Sequence, residues 1–174
     1  MFQRIMVIGS PGAGKSTFSR SLRDITGLPL YHLDMIWHKP DRTNISKEEF
    51  DARLAEIVAK DKWIIDGNYQ RTLNIRLERC DTVFLLDFPL DVCLEGARAR
   101  VGTVRTDLPW VENELDEEFR QFIIDFPKSK LPEIYKILEE AHEKKIIILK
   151  SRDEAERALK KIESEYTARK ENRA

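Results

Sequence analysis

The sequence lacks most of the features that would carry a protein out of a reducing, aqueous setting. Two of its 174 residues are cysteine, Cys80 and Cys93. Their spacing fits no metal or redox motif, so both are expected to be small buried hydrophobes. Long apolar runs are also missing. Ile146–Leu149 is among the longest, far short of the ~18 apolar residues that a membrane span needs. No basic segment followed by a long apolar stretch opens the chain, so no signal peptide is expected and the cytoplasm is the expected compartment. Charge of one sign is lacking too: 30 Lys and Arg stand against 31 Asp and Glu, for a net charge of -1. That balance argues against a protein held on duplex DNA or an anionic membrane by bulk electrostatics, and leaves room for a local basic cleft. There is no internal repeat, no low-complexity stretch and no linker rich in Gly, Ser or Pro. One domain over residues 1–174 is therefore expected, long enough to bury a core without staples.

What the chain does contain is an alternation of short apolar strands and helical patterns. Strands are expected at Ile5–Ile8, Pro29–Leu33, Trp63–Asp66, Thr82–Asp87 and Lys145–Leu149. Helices are expected at Ser16–Asp24, Ser46–Lys60, Arg71–Arg79 and Asp91–Arg100, then about Glu114–Asp125 and Pro132–Glu143 with Pro127 between them. Ser46-Lys47-Glu48-Glu49 and Ser151-Arg152-Asp153-Glu154 are capping boxes. Phe50, Leu54, Ile57 and Val58 form the inner face of the first of these helices. Ala155, Ala158, Leu159 and Ile162 form the inner face of the last, whose charged end after Tyr166 is expected to fray. Strands without polar alternation fit a parallel sheet covered on both faces. Such sheets bind ligands at the carboxyl ends of their strands.

The residues after the first strand carry the strongest signal. Gly9-Ser10-Pro11-Gly12-Ala13-Gly14-Lys15-Ser16-Thr17 is G-x-x-x-x-G-K-[ST], with a strand before it and a helix after it. Glycines permit a backbone whose N–H groups converge on one anion, and the helix N-terminus adds its dipole. Lys15 supplies a mobile cation for the β- and γ-phosphates, and the Ser16 hydroxyl is placed to ligate Mg²⁺. ATP with Mg²⁺ is the expected cofactor pair.

A phosphate loop does not name the reaction. The guanine-reading N-K-x-D segment of a GTPase is absent, and Asp24-Ile25-Thr26-Gly27 lies at the end of the first helix, where its D-x-x-G pattern is coincidental. Asp87 is followed by Phe88 and Asp66 by Gly67, so neither strand end offers a water-activating Glu. These absences favour transfer of the γ-phosphate to a bound acceptor. Asp34, after the second strand, is placed to meet an acceptor hydroxyl or Mg²⁺, with Trp37 close by. His32 and His38 flank it at a spacing that makes no transition-metal site. After the third strand, Asp66 can hold Mg²⁺ through water, Gly67 permits close approach, Asn68 and Tyr69 offer polar contacts, and Arg71 can bind an anion bidentately. Arg98, Arg100 and Arg105 form a basic segment around Gly102, suited to neutralising a transferring phosphoryl group. Trp37 and Trp110 could stack on an acceptor ring.

With these residues in view, the chain resembles the adenylate-kinase-like branch of P-loop kinases. Gly9–Thr17 is similar to their loop. Trp63–Gly67 followed by Arg71-Thr72 resembles the segment of nucleoside monophosphate kinases in which an Asp-Gly pair precedes an acceptor-binding Arg-Thr, with one extra residue between them here. Residues 1–160 also resemble bacterial proteins known as DNA topology modulation proteins, through Leu33-Asp34 with Trp37, Asp66-Gly67-Asn68-Tyr69, Arg71-Thr72, Arg76, Cys93-Leu94 and Arg100 through Asp107. The resemblance implies a three-layer α/β fold with a five-stranded parallel sheet in the order 2-3-1-4-5, an acceptor-binding insert at about 35–62 and a helical lid at about 96–112. It implies a kinase with an unidentified small-molecule or nucleotide acceptor, and adenine near Lys150–Arg152. Gly96 stands where a basic lid residue is expected, which leaves Arg98 or Arg100 to compensate. An effect on DNA topology, implied by the second resemblance, is expected to be indirect. The alternative is an ATP-dependent regulatory protein with slow hydrolysis.

Overall fold

The computed structural model describes residues 2–172. Five strands, β1 (Arg4–Gly9), β2 (Leu30–His32), β3 (Trp63–Asp66), β4 (Thr82–Leu86) and β5 (Lys145–Leu149), form one sheet in the order β2-β3-β1-β4-β5. Every pairing is parallel. Eight helices complete the chain among the described residues: α1 (Lys15–Thr26), α2 (Leu33–Trp37), α3 (Lys47–Val58), α4 (Leu73–Arg79), α5 (Leu90–Arg98), α6 (Glu117–Ser129), α7 (Leu131–Glu140) and α8 (Arg152–Glu171). A single 3₁₀ turn, Gln70–Thr72, precedes α4. The order and direction are those expected from the resemblance.

The central strands β1, β3 and β4 are apolar on both faces because both faces are covered. Met6 and Ile8 point into a core shared with Phe50, Leu54, Leu73, Phe126 and Ile134, from α3, α4, α6 and α7. Ile5 and Val7 point into the opposite core, with Phe18, Leu22, Cys93 and Ile162 of α1, α5 and α8. Each buried aliphatic side chain contributes about 1.5–3 kcal/mol, and this two-sided burial holds the carboxyl ends of β1, β3 and β4 level. Both cysteines are free and buried. No helix among the described residues is long and apolar enough to cross a membrane.

The caps read from the sequence are formed. The Ser46 hydroxyl accepts from the Glu49 N–H at 3.1 Å, and the Ser151 hydroxyl accepts from the Glu154 N–H at 3.2 Å. Three boundaries differ from expectation. The second strand ends at His32, and Leu33 and Asp34 instead begin α2. Pro127 does not separate two helices: it lies inside the last turns of α6, and the break falls at Lys130. The missing N–H costs one backbone bond there, while Ile123 and Phe126 on the same helix stay anchored in the core at 1% exposure each. The end of the last helix is not frayed through Glu171. Tyr166 lies parallel to the Phe2 ring at 6.4 Å, which ties the final turns to the start of the chain.

Candidate active site

The loop between β1 and α1 curls over the carboxyl end of the sheet. Its glycines have left-handed backbones, with φ of 136° at Gly9, 83° at Gly12 and 85° at Gly14. Two of them also permit close packing. A Cβ at Gly9 would stand 2.2 Å from the Leu86 carbonyl oxygen, and one at Gly12 would stand 2.1 Å from that of Cys93. Helix α5 returns the contact, since a Cβ at Gly96 would lie 2.2 Å from the Gly12 carbonyl oxygen. This explains the glycine where the resemblance implies a basic residue: α5 rests backbone to backbone on the phosphate loop, and no side chain fits between them. The Arg152 guanidinium, from the first turn of α8, lies 3.8 Å from that position.

Beneath the loop lies a cavity of about 670 Å³. Gly12, Gly14, Lys15, Ser16 and Thr17 line one side, with Pro11. Gly9, Ser10 and Ala13 form the frame behind that wall. The Lys15 ammonium donates to the carbonyls of Gly9 and Ser10 at 3.1 and 3.0 Å. Burial lowers its pKa, and the nearby Asp66 and Asp34 carboxylates oppose that shift.

Strand β3 ends at the opposite wall. Asp66 is 4% exposed and pairs with the His32 ring Nδ1 at 2.8 Å. Asn68 faces the phosphate loop. Its side-chain oxygen accepts from the Gly9 N–H at 3.0 Å, and its amide nitrogen donates to the Gly9 carbonyl at 2.9 Å. Asn68 lines the cavity, and it is first of all a brace for the loop. Tyr69 has a left-handed backbone, φ 32°, and its hydroxyl donates to Asp34 Oδ1 at 2.7 Å. Burial raises the Asp34 pKa, the Tyr69 hydrogen bond partly counters it, and the Asp66 charge adds to it. Burial and the adjacent Asp34 raise the Tyr69 phenol as well, so it stays a donor.

The Gly67–Tyr69 segment owes its shape to Arg76, whose side chain is fully buried. Its guanidinium donates to the carbonyls of Gly67 at 2.7 Å, Tyr69 at 3.2 Å and Asn68. Burial lowers its pKa to about 10. Sequence reasoning assigned Arg76 no role, although an arginine on the inner face of a short helix four residues after Thr72 was its signal.

The basic segment forms the roof, through Ala99, Arg100 and Thr103–Asp107. Arg100 enters the cavity, with its guanidinium 5.7 Å from the Phe119 ring and its Nε without a partner. Burial, then the neighbouring Arg105, lowers its pKa. Arg105 lines the roof but is committed, donating to Glu112 at 2.7 Å and to Asp107 Oδ1 at 3.2 Å. Asp107, 3% exposed, was given no role by the sequence beyond closing the shared segment from Arg100. Burial alone would raise its pKa, but hydrogen bonds from Arg105 and Ser16 outweigh this and hold the carboxyl well below the usual range. It therefore stands against the hydroxyl expected to ligate Mg²⁺.

Four expected site residues are not brought to the cavity. Arg98 is exposed at the end of α5. Arg71 is turned outward and forms a bidentate pair with Asp51 of α3, at 2.7 and 2.8 Å; the extra residue before it carries the 3₁₀ turn past the site. Trp37 packs edge-on against Phe50 at 5.6 Å and against Tyr69 at 6.4 Å. Tyr69 in turn stacks on Phe50 at 5.1 Å, so it stands between α3 and the cavity. Trp110 meets His38 at 5.0 Å and Arg42 at 6.0 Å, joining the roof segment to the insert rather than facing a ligand. Asp87 is also engaged elsewhere, accepting from Tyr135 at 2.6 Å and from Lys150.

No family model matches the chain. Adenylate kinases of Thermotoga petrophila and Thermotoga maritima are each 28% identical over 89 residues, which is 50% of this chain and 40% of the relative's length. Among solved structures, shikimate kinase from Acinetobacter baumannii in complex with shikimate superposes with a TM-score of 0.59 at 19% identity, covering 95% of both chains. Shikimate kinase from Bacteroides thetaiotaomicron gives 0.57 at 17% identity, over 94% of this chain and 98% of that one. A gluconokinase from Sinorhizobium meliloti gives 0.55 at 12%, over 98% and 94%. The fold is that of the P-loop kinases.

Proposed function

We propose that the protein is an ATP-dependent phosphotransferase acting on a small hydroxyl-bearing acceptor. The observation that carries this is one cavity bounded by a phosphate loop on one side and, on the other, by a half-buried carboxylate, Asp34, that forms no ion pair among the described residues. A hydrolase needs a base beside the loop to activate water. The carboxylate that fills the corresponding strand end, Asp66, is instead paired with His32.

The residues fit Mg²⁺–ATP. The left-handed glycines turn N–H groups toward a triphosphate, and Lys15 can leave its carbonyls for the β- and γ-oxygens. Ser16 and Asp66 would hold the metal, Asp66 through water, with Asp107 beside Ser16. Bound Mg²⁺ would offset charge on the β- and γ-phosphates. The adenine would lie toward Lys150–Arg152, where Arg152 approaches Gly96. In the transfer, the acceptor oxygen forms a bond to the γ-phosphorus as the bond from that phosphorus to the β,γ-bridging oxygen breaks. ADP leaves, and Asp34 takes the hydroxyl proton. Arg100 neutralises the equatorial oxygens from the roof. The segments at 35–62 and 96–112 serve as acceptor insert and lid within one domain. Any effect on DNA topology is a downstream consequence of this chemistry.

The test is an ATP titration with acceptor-stimulated ADP release. Lys15→Ala is expected to lose nucleotide binding. Unchanged affinity in that variant refutes the loop's role, and a parent protein that binds ATP but releases no ADP with any acceptor refutes the kinase assignment.

A further inference from the structure

We infer that the acceptor carries no negatively charged group: it is a neutral or cationic hydroxyl compound with an apolar face. This rests on the kinase reading and deepens it by fixing the charge class of the substrate.

The argument is a count of free cations. Among the described residues, four cationic side chains line the cavity: Lys15, Arg20, Arg100 and Arg105. Arg105 is held by Asp107 and Glu112. Arg20, on α1, donates to Thr17 at 3.0 Å and to Thr106 at 3.3 Å, and lies 3.8 Å from Asp107. Lys15 and Arg100 remain, and both are needed by the triphosphate and the phosphoryl group in flight. The arginine whose motif suggested an anion clamp, Arg71, is neutralised outside the cavity by Asp51. Arg76 spends its donors on backbone carbonyls.

The carboxylates tell the same story. Asp34, Asp66 and Asp107 line the cavity. Asp107 is paired with Arg105 and Asp66 with His32. Asp34 accepts from a phenol and forms no ion pair among the described residues, with Lys15 and Arg100 meeting its charge only at longer range. It is thus the one cavity carboxylate without an ion-pair partner among the described residues, in a half-buried setting. A carboxylate or phosphate on the acceptor would face it across a few ångströms, which is repulsive at the low effective dielectric of such a site. The apolar part of the cavity lining includes Val104, Phe119 and Phe122, with the Tyr69 ring. These offer apolar contact and no anion-binding donors.

Two measurements test this on the full-length chain. The first is ADP release with pairs of probes that differ by one anionic group: adenosine and AMP, thymidine and dTMP, and shikimate methyl ester and shikimate. The uncharged member of any reacting pair is expected to have a kcat/KM at least about tenfold higher. A preference for the anionic member overturns the inference and leaves the kinase assignment standing. Failure of all pairs counts against the kinase assignment, and the second measurement then decides the charge question alone. In it, the protein saturated with Mg²⁺ and an unreactive ATP analogue is titrated with inorganic phosphate and with acetate. No saturable stabilisation is expected. Phe122→Arg, which places a guanidinium at the cavity edge, is expected to gain saturable phosphate binding. Tight phosphate binding by the loaded parent protein overturns the inference.

Discussion

Replacing Asn68 by alanine tests the most specific claim about how the site is built. The parent amide makes two hydrogen bonds to a single residue, Gly9, which is buried and opens the phosphate loop. In Asn68→Ala the Gly9 carbonyl keeps the Lys15 ammonium at 3.1 Å. The Gly9 N–H keeps nothing. A net hydrogen bond contributes about 1 kcal/mol, and a buried donor left unsatisfied costs about 1–3 kcal/mol. The expected loss is therefore about 2–4 kcal/mol. In a protein of this size each kcal/mol moves Tm by about 2–4 °C, so a drop of about 4–16 °C is expected. The decisive assay is thermal unfolding without nucleotide or acceptor, because a residue that only contacts substrate would leave that Tm alone. ATP affinity should fall about tenfold as well, since a loop free to relax no longer presents its N–H groups together. An unliganded Asn68→Ala that melts within about 2 °C of the parent would refute the bracing role.

Further outcomes follow from other contacts. Burial raises the Asp34 pKa above 3.8, so the stability of its protonated form is present below the unfolded pKa and is lost as pH rises through the folded pKa. Asp34→Asn, which keeps an oxygen for the Tyr69 hydroxyl, should thus have a higher Tm than the parent at neutral pH. The gain should vanish in acid, and phosphoryl transfer should fall about 10²–10⁴-fold; a Tm gain independent of pH would contradict this. Gly96→Ala puts a methyl group 2.2 Å from the Gly12 carbonyl oxygen, and should cost about 1–3 kcal/mol together with ATP affinity, read by calorimetry. Arg71→Ala, in contrast, removes an exposed pair. It should leave kcat and acceptor KM unchanged, and a tenfold rise in KM would restore Arg71 to the site.

The fold was legible because its signals are local and repeated. Five apolar runs, two serine caps and a glycine-rich turn between strand and helix each constrain the backbone where they stand. The loop residues were legible for the same reason. The acceptor half was not, because its geometry depends on which partner a side chain finds across the fold. Asp51 on α3 captures Arg71, and no spacing rule links residues 20 apart across two elements. Asn68 reads as a polar contact for a ligand until the register that pairs Val7 with Asp66 sets it beside Gly9. Asp107 reads as one more surface charge in a chain rich in them, until Arg105 and Ser16 enclose it. Gly96 looks like a lost lid residue until α5 is seated on Gly12.

Arg76 has a consequence for how such a protein is mapped. It touches neither the loop proposed to hold nucleotide nor the carboxylate proposed to meet the acceptor, yet it sets the carbonyls of Gly67, Asn68 and Tyr69. Asn68 leans on the nucleotide half and Tyr69 on Asp34 in the acceptor half. One guanidinium thus serves as a common hinge-pin for both halves of the proposed site. A disturbance there would register in both affinities at once, and a scan confined to ligand-contacting positions would miss its origin.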